Sequence, residues 1–202
     1  MLRIKSKYKI AKRLGAAIFE QTQTQKFALS EARVKKVRKG GRGGSDYGRQ
    51  LLEKQRVRFT FGISERQLYN YAHAAYELPN PSDALHKMLE MRADSVAYRG
   101  RLASTRRAAR QMVSHGHLLV NGKRITTPSH RLQKGDVLTV REGSKSSPLF
   151  GKLADPAQQL GAIPQWLSLD QSLMKVEVTA EPQYGPLETT LDYATVFEFY
   201  SR

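Results

Sequence analysis

Arg106, Arg107, Arg110 and Ser114 recur at helical spacing on one arc, and Lys123, Arg124 and Arg131 follow closely behind. Guanidinium groups stacked on one face, with a hydroxyl and further cations beside them, suit phosphate. Arginine offers a fork of N–H donors matched to phosphate oxygens, and lysine a compact charge. Residues 99 to 141, which also include Arg99, Arg101 and His115, hold ten Lys or Arg against one acid, Asp136. His115 and His117, two apart, have neither a cysteine nor a convincing carboxylate beside them, so a metal site is not expected.

These side chains need elements to aim them. Ser104 or Thr105 is placed to accept a first-turn N–H and open a helix that Gly116 can end. At about 100° per residue the arginines share one arc, and Thr105, Ala108, Ala109, Met112 and Val113 fill most of the remainder, one face basic and one able to pack. Asn121-Gly122 between Leu118-Leu119-Val120 and Lys123-Arg124-Ile125-Thr126 signals a two-residue hairpin, because its turn needs positive φ at both central residues. Val120 then pairs with Lys123 and Leu118 with Ile125, so Leu118, Val120 and Ile125 line one face. Lys123 and Arg124 point to opposite faces, and either can join the basic arc of the helix. A further strand, Asp136 to Val140, follows Gly135.

The 202 residues carry a net charge of +16, unevenly placed. Residues 1–45 sum to +11, 46–98 to zero, 99–141 to +9 and 142–202 to −4. Two blocks hold more than the whole excess, the distribution expected of a polyanion binder rather than of a chain solubilised by scattered charge. With no cysteine, disulfides, zinc ribbons and thiol nucleophiles are excluded. No apolar run is long enough to span a bilayer and no signal-peptide core stands near the start, so a soluble, cytoplasmic protein with no membrane partner is expected. The Arg-rich, acid-poor start also allows an organellar transit peptide.

Residues 1–44 read as a basic extended segment, with Lys5, Lys7, Lys12 and Arg13 early and Lys35, Lys36, Arg38, Lys39 and Arg42 later. Its Gly40 to Gly44 end permits close backbone approach to a phosphate chain or serves as a linker. Three helices are expected next. Ser45 or Asp46 caps the first, which runs towards Gly62 and carries Arg49, Lys54, Arg56 and Arg58. Ser64 with Gln67 forms a capping box for the second, and Ser82 or Asp83 opens the third. Tyr47, Tyr69, Tyr71 and Tyr76 have the ring faces to stack on bases, but aromatics at helical spacing favour a core role. Trp166 reads as an anchor after a turn, Lys175 to Thr179 as a strand, and Asp192 to Tyr200 as too apolar for a loose tail. The expected architecture is α+β: residues 45–98 helical, 99–186 an α/β domain with short basic helices against a small, mainly antiparallel sheet, and about 187–202 docked on the helical domain.

Ser45-Asp46-Tyr47-Gly48, Glu53-Lys54-Gln55, Val57-Arg58, Gly62, Glu65-Arg66-Gln67 and Asn70-Tyr71 resemble the helical domain of bacterial-type ribosomal small-subunit protein four. Leu89-Glu90, Arg92, Asp94, Tyr98-Arg99, Thr105-Arg106, Ala109-Arg110-Gln111, Val113-Ser114-His115, Val120-Asn121-Gly122 and the closing Glu198 to Arg202 extend the likeness over nearly the whole chain. The resemblance implies that residues 99 to about 160 form the core of the family's namesake RNA-binding domain. It implies direct binding to small-subunit ribosomal RNA at a multi-helix junction and nucleation of subunit assembly. Carried over by position, Arg49, Lys54, Arg58, Arg106, Arg110 and Ser114 are the foremost contacts. It also suggests neighbouring small-subunit proteins, ribosomal protein five among them, and messenger RNA entering the subunit. Ala93 departs from the family's usual leucine, which bears on packing, and the cysteines that bind zinc in some members are absent.

An RNA-modifying enzyme carrying the same small domain would need a separate catalytic domain, and the chain offers no catalytic cluster, no phosphate-cradling loop and no cofactor motif. An extra-ribosomal translational regulator would use the same basic surface.

Overall fold

Apolar residues at helical spacing decide where the chain folds, even inside its most basic block. The computed structural model describes residues 4, 6–15, 18–33, 45–147, 150, 163–185 and 188–201. Helix α1, Lys7–Leu14, buries Ala11 and Leu14 between its cations. A 3₁₀ turn, Glu20–Thr22, and helix α2, Gln25–Ala32, follow. Ala11, Leu14, Ile18, Phe19 and Phe27 form a small core with Leu52 and Phe59 packed against it. Over these residues the basic block is helical, an outcome that its lysine and arginine content hides. In helix α3, Asp46–Phe61, the Ser45 hydroxyl accepts the Gly48 N–H, and the helix ends at Gly62. Helix α4, Glu65–Tyr76, starts with the expected capping box, in which Ser64 accepts the Gln67 N–H and Gln67 accepts the Ser64 N–H.

Helix α5, Pro81–Glu90, begins before either expected cap. Pro81 takes the first helical position, where its missing N–H would have had no partner in any case. Helix α6, Ala93–Arg99, was not foreseen. Ala93 through Ala97 are all buried, so it lacks the polar face by which a sequence reveals a helix. Helix α7, Arg106–Ser114, starts where the Thr105 hydroxyl accepts the Ala108 N–H at 3.1 Å.

Strands β1, Leu118–Val120, and β2, Lys123–Arg124, meet in the expected register, Val120 opposite Lys123. Asn121 and Gly122 have φ of +47° and +78°, as the turn requires. Asn121 also ties the turn to strand β3, Val137–Val140: its Nδ2 donates to Asp136 at 2.8 Å and its Oδ1 accepts the Val137 N–H at 2.9 Å. After the short helix α8, Glu142–Lys145, come strands β4, Leu167–Asp170, and β5, Lys175–Val178. The sheet order is β2-β1-β3-β5-β4, antiparallel throughout. Leu118, Val120, Leu138, Val140, Val176 and Val178 are its buried face, and Val96, Ala97, Ala109, Met112 and Val113 complete that core from α6 and α7. The architecture is α+β with an antiparallel sheet, as expected.

The last described helix, α9, Tyr193–Tyr200, is capped by the Asp192 side chain, which accepts the Thr195 N–H. It packs on α3, where Gln50 donates to Glu198 at 3.1 Å and Glu53 accepts the Asp192 N–H at 3.0 Å. The chain divides into two compact units, Met1–Ser82 with Thr190–Arg202, and Asp83–Thr189. Among the described residues no helix is long and apolar enough to cross a membrane.

Candidate nucleic-acid interface

The helical arc that groups Arg106, Arg107 and Arg110 does not treat them alike. Arg107 is exposed, whereas the Arg106 and Arg110 side chains are only 16% and 17% exposed. Arg106 donates to Glu90 and Ser95, both at 3.2 Å, and its guanidinium lies 4.7 Å from the Tyr98 ring centre. Arg110 reaches Asp94 at 3.7 Å. Glu90 is also gripped by Arg99 through two bonds of 2.8 and 3.0 Å, and Asp94 by Arg92 through two of 2.7 and 2.9 Å.

Two buried carboxylates from α5 and α6 thus hold four guanidiniums and fix α7 against them. Burial pushes the Glu90 carboxyl up, but Arg106 and Arg99 outweigh it and bring its pKa down to about 2. The same carboxylate raises the pKa of Arg99 despite burial. Bidentate bonds repay part of the desolvation that a buried ion would otherwise cost.

Other cations gather at the carboxy end of α7. Arg124 donates to the His115 carbonyl at 3.2 Å, so of the hairpin pair it is Arg124 that meets the helix. It lies directly over Gly116, whose φ is +72° and where an added Cβ would collide with the guanidinium. The carbonyl of His117 accepts the Arg141 N–H at 2.8 Å, and the His117 ring is 3.0 Å from the Ser144 hydroxyl. Positive charge here also complements the partial negative charge of the helix end. His115, Lys123, Arg124 and Arg131 are exposed, and Arg101 is half-buried at φ +64°. Ser114 is exposed but turns its hydroxyl back to the Arg110 carbonyl at 2.9 Å. Exposed Lys134 and Arg141 were not singled out from sequence, although both count in the basic stretch.

In the helical unit Arg49, Lys12 and Arg13 are exposed, while the rest of the set is tied to the fold. Lys54 is buried, bonded to Glu65 at 2.7 Å and 4.2 Å from the Phe199 ring centre. Arg56 donates to the Leu14 carbonyl and to Glu53, Arg58 to Glu65, and Lys7 to Gln21. Lys5, Lys35, Lys36, Arg38, Lys39 and Arg42 lie outside the described residues. The core role favoured for the tyrosines fails at Tyr47, Tyr69 and Tyr76, which are 50%, 48% and 65% exposed. Each ring instead leans on α9 at the surface, Tyr47 5.6 Å from Phe199, Tyr69 5.5 Å from Tyr200 and Tyr76 6.1 Å from Phe197 between centres. Among the described residues no group of three or more His, Asp or Glu is placed to hold a metal ion.

An antiparallel α+β unit with a cationic helix end, joined in one chain to a second helical unit, defines the class of a basic nucleic-acid-binding protein. Residues 91–138 match the profile described as "S4 domain", and residues 3–91 that of "Ribosomal protein S4/S9 N-terminal domain". The chain is 38% identical to small ribosomal subunit protein uS4 of Corynebacterium kroppenstedtii, covering 93% of this chain and 90% of that one. It is 34% identical to the protein of the same name from Borrelia hermsii, covering 98% and 96%. The chain belongs to the uS4 family of small ribosomal subunit proteins, a family of structural components and not of enzymes.

Proposed function

We propose that this chain binds small-subunit ribosomal RNA directly, as a structural component of the small subunit that nucleates its assembly. The observation that carries the reading is the division of labour among the arginines. Glu90 and Asp94 pin Arg99, Arg106 and Arg110, and so set α7, while Arg107, His115, Lys123, Arg131 and Arg141 are exposed and Arg124 is exposed where it lies on the helix end. A rigid cationic helix end offered to a folded polyanion binds by phosphate neutralisation and by fit to RNA shape. The paired arginines then act as positioning residues that present only the edge of a guanidinium, and Arg49 with the exposed amino-terminal cations supplies a second cationic surface. Family membership supports the ribosome as its place, with ribosomal protein five and incoming messenger RNA as neighbours.

Filter binding to small-subunit ribosomal RNA and to an unrelated structured RNA, each across a salt series, tests this. Parallel salt slopes with much tighter binding to the ribosomal RNA are expected, and equal affinity for both would overturn the reading. Arg107→Ala with Lys123→Ala is expected to lower the slope by about one per cation and leave the unfolding midpoint unchanged. Arg106→Ala is expected to cost about 1 to 3 kcal/mol of stability, because Glu90 loses one of its two partners.

A further inference from the structure

Tyr69, Ala72, His73 and Tyr76 on α4, with Phe197, Tyr200 and Ser201 at the α9 end, line a groove of about 320 Å³. Rings from the two helices meet in pairs along it. Tyr69 meets Tyr200 edge-on at 5.5 Å between centres, and Tyr76 meets Phe197 at 6.1 Å with the planes tilted by 44°. Apart from Ala72 every apolar contributor is an aromatic ring, so the groove lacks the aliphatic floor that an inserted leucine or methionine side chain would pack on. Its rim instead carries the His73 imidazole and hydroxyls; those of Tyr200 and Ser201 donate to Glu65 at 2.9 Å and to the Glu198 carbonyl at 3.1 Å, which leaves their oxygens as acceptors for the edge of a flat heterocycle. Arg66, exposed, lies on the same line of α4 as Asn70 and His73, at i, i+4 and i+7, and brings a cation alongside the rings.

We infer that this groove takes an unpaired nucleobase of bound RNA, stacked on Tyr69 or Tyr76, with Arg66 holding the flanking phosphate. Stacking platforms of this kind are sequence-tolerant, since every base has a π-face. The inference rests on the RNA reading above and adds to the phosphate surface a contact made to a base.

Oligo(A) and an abasic oligomer of equal length and backbone separate the two. The full chain is expected to bind oligo(A) about tenfold more tightly, the worth of one stacked base. Tyr69→Leu with Tyr76→Leu, both at exposed positions, is expected to abolish that preference while the circular dichroism spectrum and the salt slope stay as in wild type. Equal binding of the abasic oligomer by wild type, or a preference that survives the double substitution, would overturn it. A second readout needs no variant: the Tyr69 and Tyr76 ring resonances should move with oligo(A). Movement only with a tryptophan-bearing peptide would overturn the base and assign the groove to a protein. Loss of selective ribosomal RNA binding would defeat the earlier reading by itself, and the abasic comparison would still decide the groove.

Discussion

Glu90 shows how one side chain can set the acid tolerance of a basic protein. Its pKa falls from an ordinary 4.5 to about 2 in the fold, against the pull of burial, because Arg106 and Arg99 flank it. A depressed carboxyl contributes stability that is complete above its unfolded pKa and is lost as pH falls through the folded one. The contribution, about 3 kcal/mol, is therefore expected to be intact above about pH 5 and to drain away towards pH 2. Glu90→Gln should cost a similar amount at neutral pH and remove that part of the slope. Urea unfolding of both proteins between pH 2 and 7 checks it, and parallel pH profiles would count against the pairing. At this scale the sequence showed that the arginines were concentrated but not which of them turned inward. That choice depends on Glu90 and Asp94, whose partners lie on other elements. A helical wheel carries no information about such neighbours.

Elements with chemical punctuation were legible. The Ser45 and Thr105 caps, the Ser64–Gln67 box and the Asn121-Gly122 turn each have a local cause confined to a few residues. Helix α6 and strand β4 have none. The first is buried from Ala93 to Ala97, and the second is a short strand whose pairing with β5 comes from the tertiary fold. The turn can be dissected by substitution. Asn121→Gly keeps the backbone's access to positive φ but loses the bonds to Asp136 and Val137, an expected cost of about 1 kcal/mol. Asn121→Ala loses the bonds and also strains the turn, for about 2 kcal/mol. Chemical denaturation should rank wild type above glycine above alanine. Equal losses would mean that conformational preference at this position contributes little.

The molecule as a whole contains one unit that is contiguous in sequence and one that is not. Asp83–Thr189 carries its own sheet, helices and core, and as an isolated fragment it is expected to unfold cooperatively and to protect the β1, β3 and β5 amides from exchange. A fragment with no protected amides would show that the division of the chain does not correspond to independent stability. The other unit is completed only by α9, whose Tyr193 and Val196 are fully buried and whose bonds to Gln50 and Glu53 span more than a hundred residues of chain. Translation proceeds from the amino end, so this arrangement imposes a schedule. The inserted unit has all its partners while α3 and α4 still wait for theirs, and during that interval Lys54 lacks the Phe199 ring and Tyr69 and Tyr76 lack Tyr200 and Phe197. A stall within that window would leave a nascent chain folded in its middle and adhesive near its start, a form that chaperones and proteases are able to recognise.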